Sequence, residues 1–109
     1  MKTIEEAVAK MESRITDELA KKINSVCLIE IGSEKDVQYW TVDFTASSNR
    51  IFKTEDSADV TCRIVVSNLD DWFAIINGDI NPTTAFMKGK IKIKGDITTA
   101  LKMQEILSN

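Results

Sequence analysis

Apolar residues recur at helical spacing from the start of the chain: Ile4, Val8, Met11, Ile15 and Leu19 fall on one face of a predicted helix. Thr3 with Glu6 forms a capping box ahead of it, and Lys21-Lys22 suits the negative end of its dipole. Glu5, Lys10, Glu12, Arg14 and Glu18 read as its solvated side.

The period then shortens. Val26 to Ile31 is apolar except for Glu30, as expected of a central strand covered on both faces. Gly32 to Asp36 is a polar turn. In Gln38 to Phe44, Trp40, Val42 and Phe44 alternate with Tyr39, Thr41 and Asp43, the pattern of a strand with one buried face. Ala46 to Arg50 is a loop and Ile51-Phe52-Lys53 a short strand. After the polar stretch Thr54 to Asp59, Val60, Cys62, Ile64 and Val66 alternate again.

Helical spacing returns at Ser67 or Asn68, either of which can cap a helix that opens with Asp70-Asp71 and stops at Asn77-Gly78. Leu69, Trp72, Phe73 and Ile76 form its predicted apolar side. Asn81-Pro82 starts a second short helix carrying Ala85, Phe86 and Met87 and ending near Gly89. Lys90 to Lys94 alternates as a last strand. Gly95-Asp96 leads into a terminal helix in which Ile97, Ala100, Leu101, Gln104 and Leu107 share a face. The order is helix, four strands, two short helices, strand, helix. Segregated strands and helices predict an α+β layer architecture in one domain spanning residues 1–109.

Composition narrows the function. The 109-residue chain has room for one core, and its net charge of −3 argues against a general nucleic-acid binder. No apolar run approaches the ~18 residues of a membrane span. The acidic Glu5-Glu6 stands where a signal peptide would be apolar, and Leu107-Ser108-Asn109 is not an S-K-L type of peroxisomal address. The expectation is a cytoplasmic protein. With 0 histidines, the commonest general base and metal ligand is missing. The pairs Glu5-Glu6, Glu55-Asp56 and Asp70-Asp71 read as solvated charge, and no catalytic motif occurs. We therefore expect no enzyme activity, no metal and no cofactor. Cys27 and Cys62 lie far apart inside strand-like runs and read as buried free thiols; a bridge between them requires neighbouring strands.

The stretch N-L-D-D-W-F-A-I-I-N-G-D-I-N-P-T-T-A-F-M-K-G-K-I-K-I-K-G-D, from Asn68 to Asp96, resembles the most characteristic part of the sterol carrier protein type-2 family. An aromatic-bearing helix at Trp72-Phe73, a G-x-x-x-P turn from Gly78 to Pro82, Ala85-Phe86 and a K-G-K-x-K-x-x-G strand follow in the family's order. The A-L-K-M-Q from Ala100 to Gln104, the W-T-V-D-F from Trp40 to Phe44 and the A-D-V-T from Ala58 to Thr61 are similar to further parts of it, so the resemblance covers essentially the whole chain. It implies a five-stranded, mostly antiparallel sheet covered by about four to five helices enclosing an apolar tunnel. That tunnel would hold fatty acid, acyl-CoA, phospholipid or sterol for transfer between membranes.

Periodicity alone places Trp72, Phe73, Ile76, Phe86, Met87, Leu101 and Met103 in an ordinary core. The resemblance makes them lipid contacts, with flexible thioethers at Met87 and Met103 suited to ligands of varied shape. Trp40 and Gln104, inside the matched stretches, join them. Lys88, Lys90, Lys92 and Lys94 are the one charge feature, and Lys90, Lys92 and Lys94 share the outer face of the predicted strand. They read either as protection of a sheet edge or as a contact for membrane headgroups or a coenzyme A phosphate. The expected partners are a lipid and, transiently, a membrane surface, with no nucleic acid. The alternative is an accessory interaction domain whose tunnel is vestigial.

Overall fold

A computed structural model describes residues 3–107. The chain forms α1 (Ile4–Ser13), α2 (Asp17–Ile23), β1 (Val26–Ile31), a 3-10 turn (Glu34–Asp36), β2 (Gln38–Asp43), β3 (Ile51–Thr54) and β4 (Cys62–Val66). It continues through α3 (Leu69–Asn77), α4 (Pro82–Met87), β5 (Lys92–Gly95), α5 (Ile97–Lys102) and α6 (Gln104–Leu107). The five strands lie in the order β3-β2-β1-β4-β5, with β1 and β4 parallel and the other three pairs antiparallel. This is the expected α+β, mostly antiparallel sheet.

The local signals act as anticipated at most helix starts. The Thr3 hydroxyl accepts from Glu6 N–H, which caps α1, and donates to the Glu6 carboxylate in place of the backbone bond of a full capping box. Asn68, rather than Ser67, caps α3, and Pro82 is the first residue of α4 behind the Asn81 cap. Gly78 ends α3 at φ 87, a left-handed turn that glycine adopts without a side-chain penalty.

Two predicted helices are each broken in two. Arg14 to Thr16 interrupts the first: the Thr16 hydroxyl accepts from Leu19 N–H and starts α2, with Asp17 and Glu18 in its first turn. All five apolar residues expected on one face are nevertheless buried. The terminal helix breaks at Met103, and its buried set is Thr99, Ala100, Met103, Ile106 and Leu107. Ile97 and Leu101, expected inside, face solvent. In α3 the inward residues are Trp72, Ile75 and Ile76, with Leu69 exposed and Phe73 only partly buried.

The buried helix residues form one cluster with Cys27, Ile29, Ile31, Trp40, Val42, Ile51, Cys62, Ile64 and Val66, so the helices cover one face of the sheet. The other face carries Leu28, Glu30, Tyr39, Thr41, Phe52, Arg63, Val65, Lys92 and Lys94 by strand alternation. Residues 55–61 cross from the Thr54 end of the sheet to the opposite end, where β4 begins beside Cys27. Arg63 ties this strap down, donating to the Asp56 carboxylate and the Ser57 carbonyl, and also to Glu30 at 2.8 Å. Leu28, in register with Arg63, is fully buried on this face although it lies outside the main core. The expectation that β1 is covered on both sides is thereby met.

Candidate lipid-binding site

The residues expected to meet a lipid divide into two layers. Trp72 and Ile76 on α3, Met103 between α5 and α6, and Trp40 on β2 are buried between helices and sheet. Phe73 packs partly against them. Phe86, Met87 and Leu101 instead stand on the surface of the helical cover, 40%, 79% and 47% exposed. Their outward turn follows from the short helices. Pro82 and Ala85 take the inward positions of α4, which leaves Phe86 and Met87 outside; Thr99 and Ala100 do the same in α5. Gln104 is half-buried and joins the pieces: its side-chain carbonyl accepts from the Thr83 hydroxyl at 3.3 Å, bringing α4 against α6.

Two residues missed by the sequence reading extend this surface. Ile97, 55% exposed, lies one turn before Leu101 on the same side of α5. Thr83 supplies the link to Gln104. The i, i+4 spacing of Ile97 and Leu101 was visible in the sequence; which side of α5 faced the core was not.

The two indoles differ. Trp40 Nε1–H donates to Gln38 Oε1 at 3.1 Å, whereas Trp72 Nε1–H is fully buried with no acceptor. Buried indole N–H groups usually find a partner, so this donor is an unused hydrogen-bonding group inside the core. Arg14 reaches the same region, donating to the carbonyls of Ile76 at 2.8 Å and Ile106 at 3.1 Å, and burial pushes its pKa down. It clamps α1 to the end of α3 and to α6.

One open cleft of about 470 Å³ lies between Asn24–Val26, Thr45 and Ala58–Thr61, and one of about 330 Å³ lies beside Phe44 and Arg50; smaller or similar clefts border Gly32 and Asn68, and Val60 and Lys94. None of these clefts is lined by the residues expected to touch the lipid chain. In this structure the helical cover is packed down on the sheet.

The lysines do not form one row. β5 begins at Lys92, and Lys90 before it pairs with Asp71 of α3 at 3.0 Å, which removes it from the expected outer face. Lys92 and Lys94 do share that face, beside Val65 and Arg63 respectively, and both are exposed. Lys88 is exposed directly after Met87. Among the described residues no three His, Cys, Asp or Glu side chains gather as a metal site, and no helix is long and apolar enough to cross a membrane.

Comparison with known proteins agrees with this architecture. The chain is 30% identical over 107 residues to hydroxysteroid dehydrogenase-like protein 2 of Pongo abelii, an alignment covering 96% of this chain and 25% of that protein. It is 36% identical over 90 residues to peroxisomal multifunctional enzyme A of Dictyostelium discoideum, covering 83% of this chain and 20% of that one. The chain thus spans about a quarter or less of the length of these relatives. The fold is similar to that of palmitated SCP2L2 from Aedes aegypti, with a TM-score of 0.68 at 22% identity over 92% of this chain and 93% of that one. The pattern of the SCP-2 sterol transfer family matches residues 4–108, and the chain belongs to that family.

Proposed function

We propose that this chain is a lipid-binding and lipid-transfer domain, holding a fatty acid, acyl-CoA, phospholipid or sterol between its helical cover and its sheet. The observation that carries the reading is the match to the SCP-2 sterol transfer family over residues 4–108, with Phe86 and Met87 on α4 and Ile97 and Leu101 on α5 exposed on the helices that cover a deep apolar core. Palmitate bound in a structural relative supports the ligand class. Catalysis has no support in the residues, and we assign the chain no chemistry of its own.

The short helices suit a cover that lifts. α4 and α5 have 6 residues each and α6 has 4, lengths that form only when packed on something else. Separating them from the sheet exposes Trp72, Ile76 and Met103 to an entering chain. Burying about a dozen methylenes at ~0.8 kcal/mol each releases roughly 10 kcal/mol. Ordering the lipid takes back several kcal/mol, leaving room for affinity near micromolar, about −8 kcal/mol.

Transfer requires contact with a membrane, and the same region fits one. Five lysines stand against one aspartate from Pro82 to Gln104, in a chain whose net charge is −3. Lys88 adjoins Met87 and Lys102 adjoins Leu101, placing cations beside apolar side chains, as an anionic bilayer surface requires.

A second reading has its own support: relatives four to five times longer, named as a dehydrogenase-like protein and a multifunctional enzyme, point to an accessory domain docked on an enzyme. A titration with a fluorescent long-chain fatty acid, competed by palmitate, acyl-CoA, phospholipid and sterol, separates the two. Saturation at one lipid per chain supports the carrier. No saturable binding by any class, in folded protein, leaves the accessory reading.

A further inference from the structure

Cys27 and Cys62 take no part in the lipid reading, yet the fold brings them together. They are direct register partners on β1 and β4, the parallel pair of the sheet. Both are buried on the helix-covered face, with Sγ to Sγ at 3.2 Å. Cys62 Sγ also lies 3.8 Å from Met103 Sδ. Neighbouring strands are ~4.7–4.9 Å apart, within the ~4.4–6.8 Å Cα separation that a disulfide spans. Closing the sulfurs to the ~2.05 Å of a disulfide takes a movement of about 1 Å and no change of backbone topology.

We propose that Cys27 and Cys62 are a reversible cross-strand disulfide site, oxidised by a peroxide and reopened by a thiol. Both are free thiols here. The hydrogen bond between them, followed by burial, pushes the Cys27 thiol up, while the same bond holds Cys62 below its ordinary value. The two sulfurs are close enough for either to attack first, and we take Cys62 as the attacking sulfur. Its thiolate displaces hydroxide from hydrogen peroxide, forming an S–O bond as the O–O bond breaks; the hydroxide takes up the thiol's proton as water. The Cys27 sulfur then attacks the sulfenic sulfur. The S–S bond forms, the S–O bond breaks, and the Cys27 proton leaves with the departing hydroxide as a second water. Two thiols lose two electrons and two protons, and one peroxide becomes two waters. A dithiol returns the pair to the reduced state by exchange.

The bridge would fasten the start of β4, where the strap from β3 ends, to the central strand. The Cys62 sulfur also lies against Met103 at the junction of α5 and α6, so a change at this sulfur is felt under the helical cover.

The test exposes folded protein to hydrogen peroxide and, in parallel, refolds reduced chain in a buffer of oxidised and reduced glutathione. Both samples are alkylated in denaturant and weighed. The expected product has lost two hydrogens, takes no alkylating group, links the Cys27 and Cys62 peptides on digestion, and reverts with dithiothreitol. Cys62→Ser should abolish it while leaving the fold intact by circular dichroism. Full alkylation of both thiols after both treatments overturns the proposal. So does a product consisting of sulfinic acid or of chains joined in dimers.

Discussion

Met87→Ser with Leu101→Ser is the sharpest perturbation of the proposed membrane contact, because both side chains stand outside the core at 79% and 47% exposure. Fully burying a side chain of this size contributes ~2 kcal/mol. Scaled by exposure, about 1.6 kcal/mol is available from Met87 and about 1 kcal/mol from Leu101. Complete insertion of both would therefore lose about 2.5 kcal/mol in the double variant, roughly a 70-fold fall in partitioning; half-insertion would lose about tenfold. The assay is co-sedimentation with vesicles containing anionic phospholipid, at low and at physiological salt. Thermal unfolding of the double variant should stay within about 1–1.5 kcal/mol of the parent, since only the covered half of Leu101 is lost from packing. A folded double variant whose partitioning changes less than about twofold would refute the assignment of α4 and α5 to the membrane.

Changing Lys88 and Lys102 to Glu should slow lipid transfer to anionic vesicles and leave transfer to neutral ones unchanged, with the difference shrinking as salt screens the lysines; equal rates on anionic vesicles at low salt would refute a membrane role for these two lysines. Trp72→Ala should cost ~3–5 kcal/mol in a denaturant melt, because the ring is fully buried, whereas Phe86→Ala, 40% exposed, should cost about half that or less and weaken lipid affinity; the reverse order would place Phe86 in the core. Arg63→Ala should destabilise by ~2–3 kcal/mol, leaving the half-buried Glu30 unpaired and freeing the strap at Asp56 and Ser57, with faster proteolysis in residues 55–61 as the confirming readout. Asn68→Ala, which removes the bond from Asp71 N–H, should cost about 1 kcal/mol in the same melt, and no loss would deny the cap.

Features decided within a few residues were legible in the sequence. The caps at Thr3, Asn68 and Asn81-Pro82 and the alternation of Trp40, Val42 and Phe44 needed only local spacing. What depended on distant partners was not. Lys90 looked like part of a uniform row because Asp71, nineteen positions earlier, could not be placed beside it. Ile97 and Leu101 looked like core because periodicity marks a stripe without saying whether α5 turns it inward; the break at Met103 gives that place to Thr99 and Ala100. The crossing strap was read as a polar loop, and only the strand order shows that residues 55–61 must run the length of the sheet. The same order makes Cys27 and Cys62 neighbours. Within the proposed site, local spacing singled out the apolar residues of the helices. Their division into buried and exposed layers depended on tertiary packing.

The central claim, a lipid held by this domain, is met most directly by native mass spectrometry of the purified chain after incubation with vesicles of mixed fatty acid, phospholipid and sterol. The account predicts a species heavier by the mass of one lipid, which reverts to the bare chain when the protein is offered excess lipid-free vesicles. A spectrum showing only the bare, folded chain with every lipid class would contradict it.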